Sequence, residues 1–314
     1  MRLKIIGGSS HRDFTKKICA HLGIEETKAN SFTFSNNNRF FTIDEPVRGD
    51  DVFVVQTQTR SVDADVMELL IIIRTLRDAS ADRITAVMPY LPYARSDKKD
   101  QPRVCITARL IADLLQTAGA NRALVMEMHS QQIQGFFSIP CDQLLAAPDV
   151  IQYLKTNWNL ENYVVVAGDA GAAKMIKRYA DGLNMPVAMM DKRRLGNDES
   201  VVIKGVMGDV KGKKALIIDD ETLSGRTLIE DAKFLLETAG AISVDSCFIH
   251  ANLGEGAAER LNASPIQKFI TTDTIPSSHF NLRNLEVVPV SHRFAEMIKR
   301  IHNNESVKSL NDIT

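Results

Sequence analysis

Short apolar runs alternate with amphipathic stretches along most of this chain, and this alternation constrains its fold more than any other feature. An alternation of strands and helices is typical of a largely parallel sheet with helices on both faces. The sequence therefore predicts an α/β fold. The apolar runs predict strands at residues 3–6, 52–56, 83–88, 123–126, 163–166, 187–190, 215–218 and 243–249.

The amphipathic stretches predict the helices between these strands. Val66, Leu70 and Ile73 share one helical face with Leu69 and Leu76, as the period of an α-helix requires. The second half of the chain repeats the rhythm. It predicts helices at about 170–182, 227–239 and 292–302.

The length of 314 residues fits two α/β domains or one large domain. Both halves have the same kind of pattern, and Pro148 is placed to open a new helix. We therefore predict an N-terminal domain at 1–147 and a C-terminal domain at 148–314. The C-terminal helix is a candidate to pack back on the first domain.

Composition argues against several functional classes. The formal net charge of −1 gives no overall basic field for nucleic acid. The start, MRLKIIGGSS, is not typical of a signal peptide, and no apolar run approaches the roughly 18 residues of a membrane span. The cysteines are far apart and lack CxxC spacing, so we expect reduced thiols and a cytoplasmic protein. They are Cys19, Cys105, Cys141 and Cys247.

The segment 215–227, ALIIDDETLSGRT, is the most informative for function. An apolar strand ends in Asp219 and Asp220, and a turn of small residues then opens a helix. Backbone N–H groups at a helix N-terminus, with the hydroxyls of Ser224 and Thr227, are suited to bind phosphate. The carboxylates are suited to accept hydrogen bonds from sugar hydroxyls. The alternative is an acid pair that only caps a helix.

This segment matches the phosphoribosyl-diphosphate binding motif, and nearly the whole chain resembles the ribose-phosphate pyrophosphokinase (phosphoribosyl diphosphate synthetase) family. The resemblance implies two tandem phosphoribosyltransferase-type domains, each a mostly parallel sheet flanked by helices. The matching segments are GGSSH at 7–11, PVRGDDVFVVQ at 46–56, VMELLIII at 66–73, TAVMPYLPYARSDKK at 85–99, MHSQQIQGFF at 128–137, GDAGAAK at 168–174, DKRR at 191–194, GDVKGKKALIIDD at 208–220 and TDTIP at 272–276.

The resemblance also implies an activity. Family members transfer the diphosphate of Mg–ATP to the 1-hydroxyl of ribose 5-phosphate, which gives phosphoribosyl diphosphate and AMP for nucleotide biosynthesis. The implied cofactor is Mg²⁺, and the implied assembly is a homo-oligomer, a hexamer of dimers. In the family, a ribbon from a neighbouring subunit completes the ATP site.

Each predicted site residue takes its role from a matching family position. Lys192 and Arg194 would be catalytic and would neutralise charge on the transferred diphosphate. His129 and Asp169 would support the metal sites. The residues implied for ribose 5-phosphate are Asp219, Asp220, Leu223, Ser224, Gly225, Arg226 and Thr227, and those implied for ATP are Phe34, Asn36, Asn38, Arg95, Ser96, Asp97 and His129.

Structural roles are the alternatives for the same residues. A lone histidine is often structural, Asp169 is placed to cap a helix, and the Lys192–Arg194 run is also typical of a solvated surface loop. Three stretches interrupt the rhythm of strands and helices, and they predict loops or small ribbons with functional roles. They are residues 34–47, 89–104 and 192–200.

The chain departs from the family pattern at some of these positions. Leu223 stands where an acid or small polar residue is usual, and Arg226 stands where glycine is usual. Asn38 replaces a carboxylate that would accept from the adenine amino group, and Ser96 replaces a glutamine. These changes leave open the nucleotide specificity and the control by phosphate or ADP.

Three other functions share part of the pattern. A catalytically weak paralogue that regulates an active synthetase is compatible with the altered turn and ribbon. A phosphoribosyltransferase shares the 215–227 motif but does not need the tandem arrangement. A pure sugar-phosphate sensor would bind ligand without depending on nucleotide.

Overall fold

The computed structural model describes residues 1–194 and 201–313, with the backbone alone at 193, 194, 201 and 202. Fourteen strands are present in these ranges. They are β1 Leu3–Gly7, β2 Ala29–Thr33, β3 Arg39–Ile43, β4 Asp51–Val55, β5 Arg83–Met88, β6 Arg122–Met126, β7 Cys141–Leu144, β8 Tyr163–Ala167, β9 Val187–Arg194, β10 Val201–Met207, β11 Lys214–Glu221, β12 Ser243–His250, β13 Phe269–Thr272 and β14 Leu285–Val288.

Eight α-helices lie in the same described ranges. They are α1 Arg12–Leu22, α2 Val62–Asp78, α3 Thr107–Ala118, α4 Ala147–Asn157, α5 Ala173–Leu183, α6 Arg226–Glu237, α7 Ala257–Asn262 and α8 Ser291–Asn303. None of the helices in residues 1–194 and 201–313 has the length and apolar character needed to cross a membrane.

The chain forms two compact units. The first comprises Met1–Leu145, Thr274–Pro276 and Val290–Asn311. The second comprises Ala146–Asp273, Ser277–Pro289 and residues 312–313. The first unit therefore takes α8 from the C-terminal part of the chain.

The first unit is built on a five-stranded sheet with the order β1-β4-β5-β6-β7, and all its strand pairs are parallel. Its central strands are fully buried, as in β4, because apolar side chains face helices on both sides. Helix α8 packs on α1, where the rings of Phe14 and Phe294 meet edge to face with centroids 5.4 Å apart. Strands β2 and β3 form a separate antiparallel hairpin.

The second unit is built on a seven-stranded sheet with the order β10-β9-β8-β11-β12-β13-β14. Its strand pairs are parallel except for the antiparallel pair β9–β10 at one edge. All eight residues of β12 are buried. Because parallel strands end at the same edge of the sheet, the residues that follow β8 and β11 lie close to the last residues of β9.

The structure confirms the predicted strands, each of which coincides with an observed strand to within a few residues. Helix α2 buries Leu69, Ile73 and Leu76 as predicted. The predicted interruption at 34–47 contains β3 of the hairpin. The interruption at 192–200 begins as a strand, since β9 continues to Arg194 and pairs with β10, and residues 195–200 lie outside the described ranges.

Candidate active site

The predicted metal-site residue Asp169 and the predicted catalytic residue Lys192 lie in or just after neighbouring strands at the carboxyl edge of the second unit's sheet. Strand β8 ends at Ala167 and is followed by Gly168 and Asp169, and β9 carries Lys192. A Cβ atom added to Gly168 would lie 3.9 Å from Lys192 Nζ. The end of β8 and the lysine of β9 are therefore neighbours at one edge of the sheet.

The acid pair lies in the last residues of β11, within the strand and not after it. The backbone N–H of Asp220 donates a hydrogen bond of 2.9 Å to Asp219 Oδ1. Burial raises the pKa of Asp219 well above its ordinary value, and the negative charges of Asp220 and, more weakly, Asp169 raise it further. The carboxylates of Asp219, Asp220 and Asp169 are thus close enough to interact electrostatically. Such a group of acceptors favours a ligand with hydroxyl donors or a cation.

The turn after β11 is fixed by its own neighbours. Gly225 has a φ of 72°, in the left-handed region that glycine adopts readily, and α6 begins at the next residue. The N–H of Gly254 donates to the carbonyl of Leu223 at 3.0 Å. Ser224, Arg226 and Thr227 are exposed. A bound phosphate can therefore reach the N–H groups at the start of α6.

The hydroxyl of Ser224 has a structural contact in this turn. Its Oγ accepts a hydrogen bond from the N–H of Arg226 at 3.4 Å. Arg226, which departs from the family pattern, is exposed. Leu223 is partly buried.

Arg260 on α7 is a residue of this site that the sequence did not suggest. Its Nε donates to the carbonyl of Ser224 at 3.2 Å, and its Nη2 donates to the carbonyl of Glu255 at 3.3 Å. The guanidinium braces the turn from outside and adds a positive charge beside it. The two residues are 36 positions apart, so no local pattern links them.

Lys192 forms an ion pair with Asp231 on α6, with 2.7 Å between Nζ and Oδ2. The exposed fractions of the two side chains are 11% and 3%, so the alternative of a solvated run is wrong for Lys192. The sequence contained a signal for Asp231. It occupies a core-facing position of α6 together with Leu228, Ala232 and Leu235.

The structure describes only the backbone of Arg194. The predicted catalytic role of its side chain therefore lies outside the described part of the chain.

Asp169 has the capping role that was its structural alternative. Its Oδ1 accepts a hydrogen bond of 3.2 Å from the N–H of Ala172, at the start of the 3₁₀ turn Ala170–Ala172 that leads into α5. The residue is exposed. A carboxylate has two oxygens, so this cap is compatible with a role in metal binding.

In the first unit, the predicted ATP residues Phe34, Asn36 and Asn38 lie at the tip of the β2–β3 hairpin and are exposed. Asn36 Oδ1 accepts from the N–H of Asn38 at 3.1 Å, which closes the turn. The ring of Phe34 is 4.9 Å from that of Phe32 and 5.9 Å from that of Phe40, measured between centroids. The hairpin thus presents aromatic rings and amide groups together.

A buried carboxylate holds this hairpin against α2. Glu68 is fully buried, and Arg39 of β3 forms an ion pair of 2.8 Å with its Oε1. Ser31 of β2 donates to the same oxygen at 2.8 Å, and Gln56 donates to Oε2 at 2.9 Å. Ser9, in the GGSSH segment, donates to Oε2 through its backbone N–H at 3.2 Å. Glu68 therefore sets the position of both hairpin strands.

The remaining predicted ATP residues follow neighbouring strands of the first sheet. Arg95, Ser96 and Asp97 come after β5, and His129 comes after β6. Arg95 and His129 are exposed. The carbonyl of Ser96 accepts from the N–H of Ala108 at 3.2 Å, which ties this segment to the start of α3. These residues thus follow adjacent parallel strands and belong to one edge of the sheet.

Comparison with known proteins identifies the family. The chain is 40% identical over 310 residues to the ribose-phosphate pyrophosphokinase of Chlorobaculum tepidum, and the match covers 99% of this chain and 95% of that protein. The chain belongs to the ribose-phosphate pyrophosphokinase family. It is also 39% identical to ribose-phosphate pyrophosphokinase 4 of Saccharomyces cerevisiae, with 98% of this chain and 94% of that protein covered.

The family's domains and a solved structure agree with this assignment. Residues 3–119 match the N-terminal domain of ribose phosphate pyrophosphokinase, and residues 198–311 match the phosphoribosyl synthetase-associated domain. The crystal structure of phosphoribosylpyrophosphate synthetase from Mycobacterium smegmatis superimposes with a TM-score of 0.90 at 35% identity. The match covers 97% of this chain and 100% of the Mycobacterium smegmatis chain.

Membership of the ribose-phosphate pyrophosphokinase family confirms three predictions made from the sequence. The resemblance itself is confirmed. The fold is confirmed as α/β with phosphoribosyltransferase-type domains, in which mostly parallel sheets are flanked by helices. The predicted enzyme class, a transferase of diphosphate groups, is that of the family.

Proposed function

We propose that this chain transfers the diphosphate of ATP to the 1-hydroxyl of ribose 5-phosphate, with Mg²⁺ as cofactor, to give phosphoribosyl diphosphate and AMP. The main support is one arrangement in the second unit. An acid pair lies near the end of β11, a left-handed glycine turn precedes α6, and Lys192 lies at the same edge of the sheet. The acid pair is suited to sugar hydroxyls, the turn to a phosphate, and Lys192 to the transferred diphosphate.

Ribose 5-phosphate binds at the end of β11 in this proposal. Asp219 and Asp220 accept hydrogen bonds from ribose hydroxyls. The 5-phosphate lies on the turn formed by residues 223–227, where the N–H groups at the start of α6 bind it. The exposed hydroxyl of Thr227 is a further donor.

ATP is assigned to the first unit, and in the proposed homo-oligomer the β2–β3 hairpin of a neighbouring subunit completes its site. Phe34 stacks on the base, and the amides of Asn36 and Asn38 hydrogen-bond to its edge. Arg95 binds phosphate, with Ser96 and Asp97 beside it, and His129 binds the metal-nucleotide. An amide both donates and accepts, so Asn38 places a weaker restriction on the base than a carboxylate does.

The donor set of the second unit fits Mg²⁺. Its carboxylates are hard oxygen ligands, which Mg²⁺ prefers, and Asp219, Asp220 and Asp169 all belong to one edge of the sheet. Asp169 is the proposed ligand in this unit and His129 in the first. Magnesium commonly keeps several waters, so an imidazole can act through water. When bound, Mg²⁺ neutralises phosphate charge.

The proposed chemistry is an in-line displacement. The oxygen of the anomeric hydroxyl forms a bond to the β-phosphorus of ATP, and the bond from that phosphorus to the oxygen of the α-phosphate breaks. AMP leaves with that oxygen, and the hydroxyl proton passes to solvent. Lys192 and Arg194 stabilise the charge on the transferred group.

The test is AMP release by the purified protein given Mg–ATP and ribose 5-phosphate. Lys192→Ala is the control, and we expect a loss of about 10²–10³-fold in kcat, as for removal of one donor from a transition-state site. Wild-type turnover no greater than that of the variant would support the regulatory paralogue instead. Repeating the assay with four nucleoside triphosphates, with and without phosphate, would define specificity and control.

We further propose a homo-oligomer of the family's type in the cytoplasm, with domains at 1–147 and 148–314 and with the C-terminal helix α8 packed on the first domain. All four cysteines are thiols, which supports a reducing compartment. Sedimentation velocity would test the assembly, since a monomer at assay concentration would contradict it. Expression of residues 1–147 together with a separate peptide of residues 290–311 would test the domain boundary, because Val290–Asn311 belongs to the first unit.

A further inference from the structure

We propose that Asp231 is a positioning residue for catalysis, which holds the ammonium group of Lys192 at the carboxyl edge of the second unit's sheet. This inference rests on the proposed function for the role of Lys192. It adds a residue that lies outside every motif by which the family was recognised. The contact joins β9 to α6, the helix whose first turn forms the proposed phosphate site.

The ion pair is built into the core and is not a surface contact. Asp231 is 2% exposed, and it lies on the buried face of α6 between Leu228 and Leu235. A Cβ atom added to Gly168 would lie 3.5 Å from Asp231 Oδ2, so the carboxylate reaches the end of β8. A salt bridge with two exposed partners contributes little to stability, but a nearly buried pair fixes the geometry of both groups.

The burial of Asp231 is costly for the fold. Its Oδ1 accepts no hydrogen bond from any residue in the described part of the chain. Burial raises the pKa of its carboxyl to about 6, although the charge of Lys192 opposes this shift. An apolar residue would suit the position better, as the neighbouring Leu228 and Ala232 do. The presence of an acid at this destabilising position is explained if Asp231 holds Lys192 in place for catalysis.

The chemical benefit is the restriction of a flexible side chain. A lysine has a four-carbon stem with many rotamers, and an unrestrained side chain would spend little of its time with its ammonium group beside the reacting phosphate. The ammonium group has three N–H donors. One of them binds Asp231, which leaves two for the diphosphate. The carboxylate therefore orients Lys192 without using all of its hydrogen-bonding capacity.

A double-mutant cycle tests the coupling. We expect Asp231→Asn to lower kcat by about 10–100-fold, since a small misplacement of a catalytic group has effects of this size, while both KM values change less than about twofold. In a Lys192→Ala background, the same substitution should change kcat by less than about twofold. An equal loss in both backgrounds would overturn the proposal, and so would a higher kcat, because Asp231 would then restrain Lys192 in an inactive position.

Asp245→Asn is the matched control. Asp245 is also buried, on β12, and it accepts a hydrogen bond of 2.8 Å from Tyr163 at the start of β8, at the opposite edge of the sheet. We expect it to leave kcat within about twofold of wild type, because it does not contact the site. Asp231→Glu keeps the charge and should recover part of the lost kcat.

A second measurement does not depend on activity. Amine-specific labelling followed by mass spectrometry should modify Lys192 at least about fivefold faster in Asp231→Asn than in wild type, because the released side chain reaches solvent. Asp245→Asn should not change this rate. Labelling of Lys192 that is equally fast in wild type would overturn the proposed contact. Absence of AMP release by wild type together with protected Lys192 would instead contradict the proposed function alone.

Discussion

The Nζ atom of Lys192 lies 2.7 Å from Oδ2 of Asp231, across 39 positions of sequence and from a strand to a helix. This contact holds a predicted catalytic group against α6, the helix that follows the proposed phosphate-binding turn at residues 223–227. It also buries a carboxylate whose second oxygen accepts no hydrogen bond from the described residues. Both consequences can be measured.

The pH dependence of stability should report Asp231. Burial raises the pKa of this carboxyl from 3.8 to about 6. Between these values the folded state keeps a proton that the unfolded state has lost, so stability falls as pH rises through this window. At pH 7 the group costs about 3 kcal/mol relative to pH 3. Asp231→Asn should remove this dependence.

Trp158 is a convenient reporter for this measurement, since it is the single tryptophan and lies in the second unit. Urea unfolding followed by its fluorescence should show a wild-type curve that declines between pH 4 and 6 relative to the variant. A difference between the two proteins that is constant over this range would show that Asp231 does not titrate there.

Gly225→Ala should damage the proposed phosphate-binding turn at residues 223–227. The residue has a φ of 72°, and an added Cβ would lie 2.8 Å from the side chain of Leu261. We expect a destabilisation of about 2–4 kcal/mol from the left-handed backbone and the steric clash together. The KM for ribose 5-phosphate should rise about tenfold, because the first turn of α6 moves.

Gly49→Ala is the control for the backbone effect alone. Gly49 also has a φ of 72°, but an added Cβ would have no atom within 4 Å. Calorimetry should show that the substitution lowers the free energy of unfolding by about 1 kcal/mol. The kinetic assay should give an unchanged KM for ribose 5-phosphate. Equal effects of the two substitutions on KM would argue against a phosphate site at residues 223–227.

Glu68→Gln should loosen the β2–β3 hairpin. The substitution removes the charge that pairs with Arg39 and one acceptor for several buried donors, so we expect a cost of about 2–3 kcal/mol. Hydrogen exchange should become faster in peptides from β2 and β3. Asp78→Asn, which breaks an exposed pair with Arg74, should cost less than about 0.5 kcal/mol and leave hairpin exchange unchanged.

Thiol labelling should distinguish the four cysteines. Cys105 is exposed, whereas Cys19, Cys141 and Cys247 are buried. Burial also raises the pKa of the Cys19 thiol to about 11 and that of Cys141 to about 12, so little thiolate is present at neutral pH. A maleimide should modify Cys105 alone in the native protein and all four in urea. Native modification of Cys141 would contradict the packing of β7.

Some elements escaped prediction for a physical reason. Strand β14, with the sequence LEVV, has four residues at an edge of the sheet, and only its last is buried. A short and half-exposed run has neither the length nor the apolar content of the central strands. Helix α6 was predicted, but its buried face includes Asp231, which the helical period places there although its charge favours solvent.

Local pattern in the sequence determined eight of the strands, most of the helices, the acid pair and the glycine turn, because each depends on residues a few positions apart. Tertiary structure alone decided that Asp231 meets Lys192, that Arg260 braces Ser224, and that Glu68 holds the β2–β3 hairpin. These contacts join residues distant in the chain. They form only when one face of a helix packs against one sheet, and the period of a helix or strand does not specify which partner that face will meet.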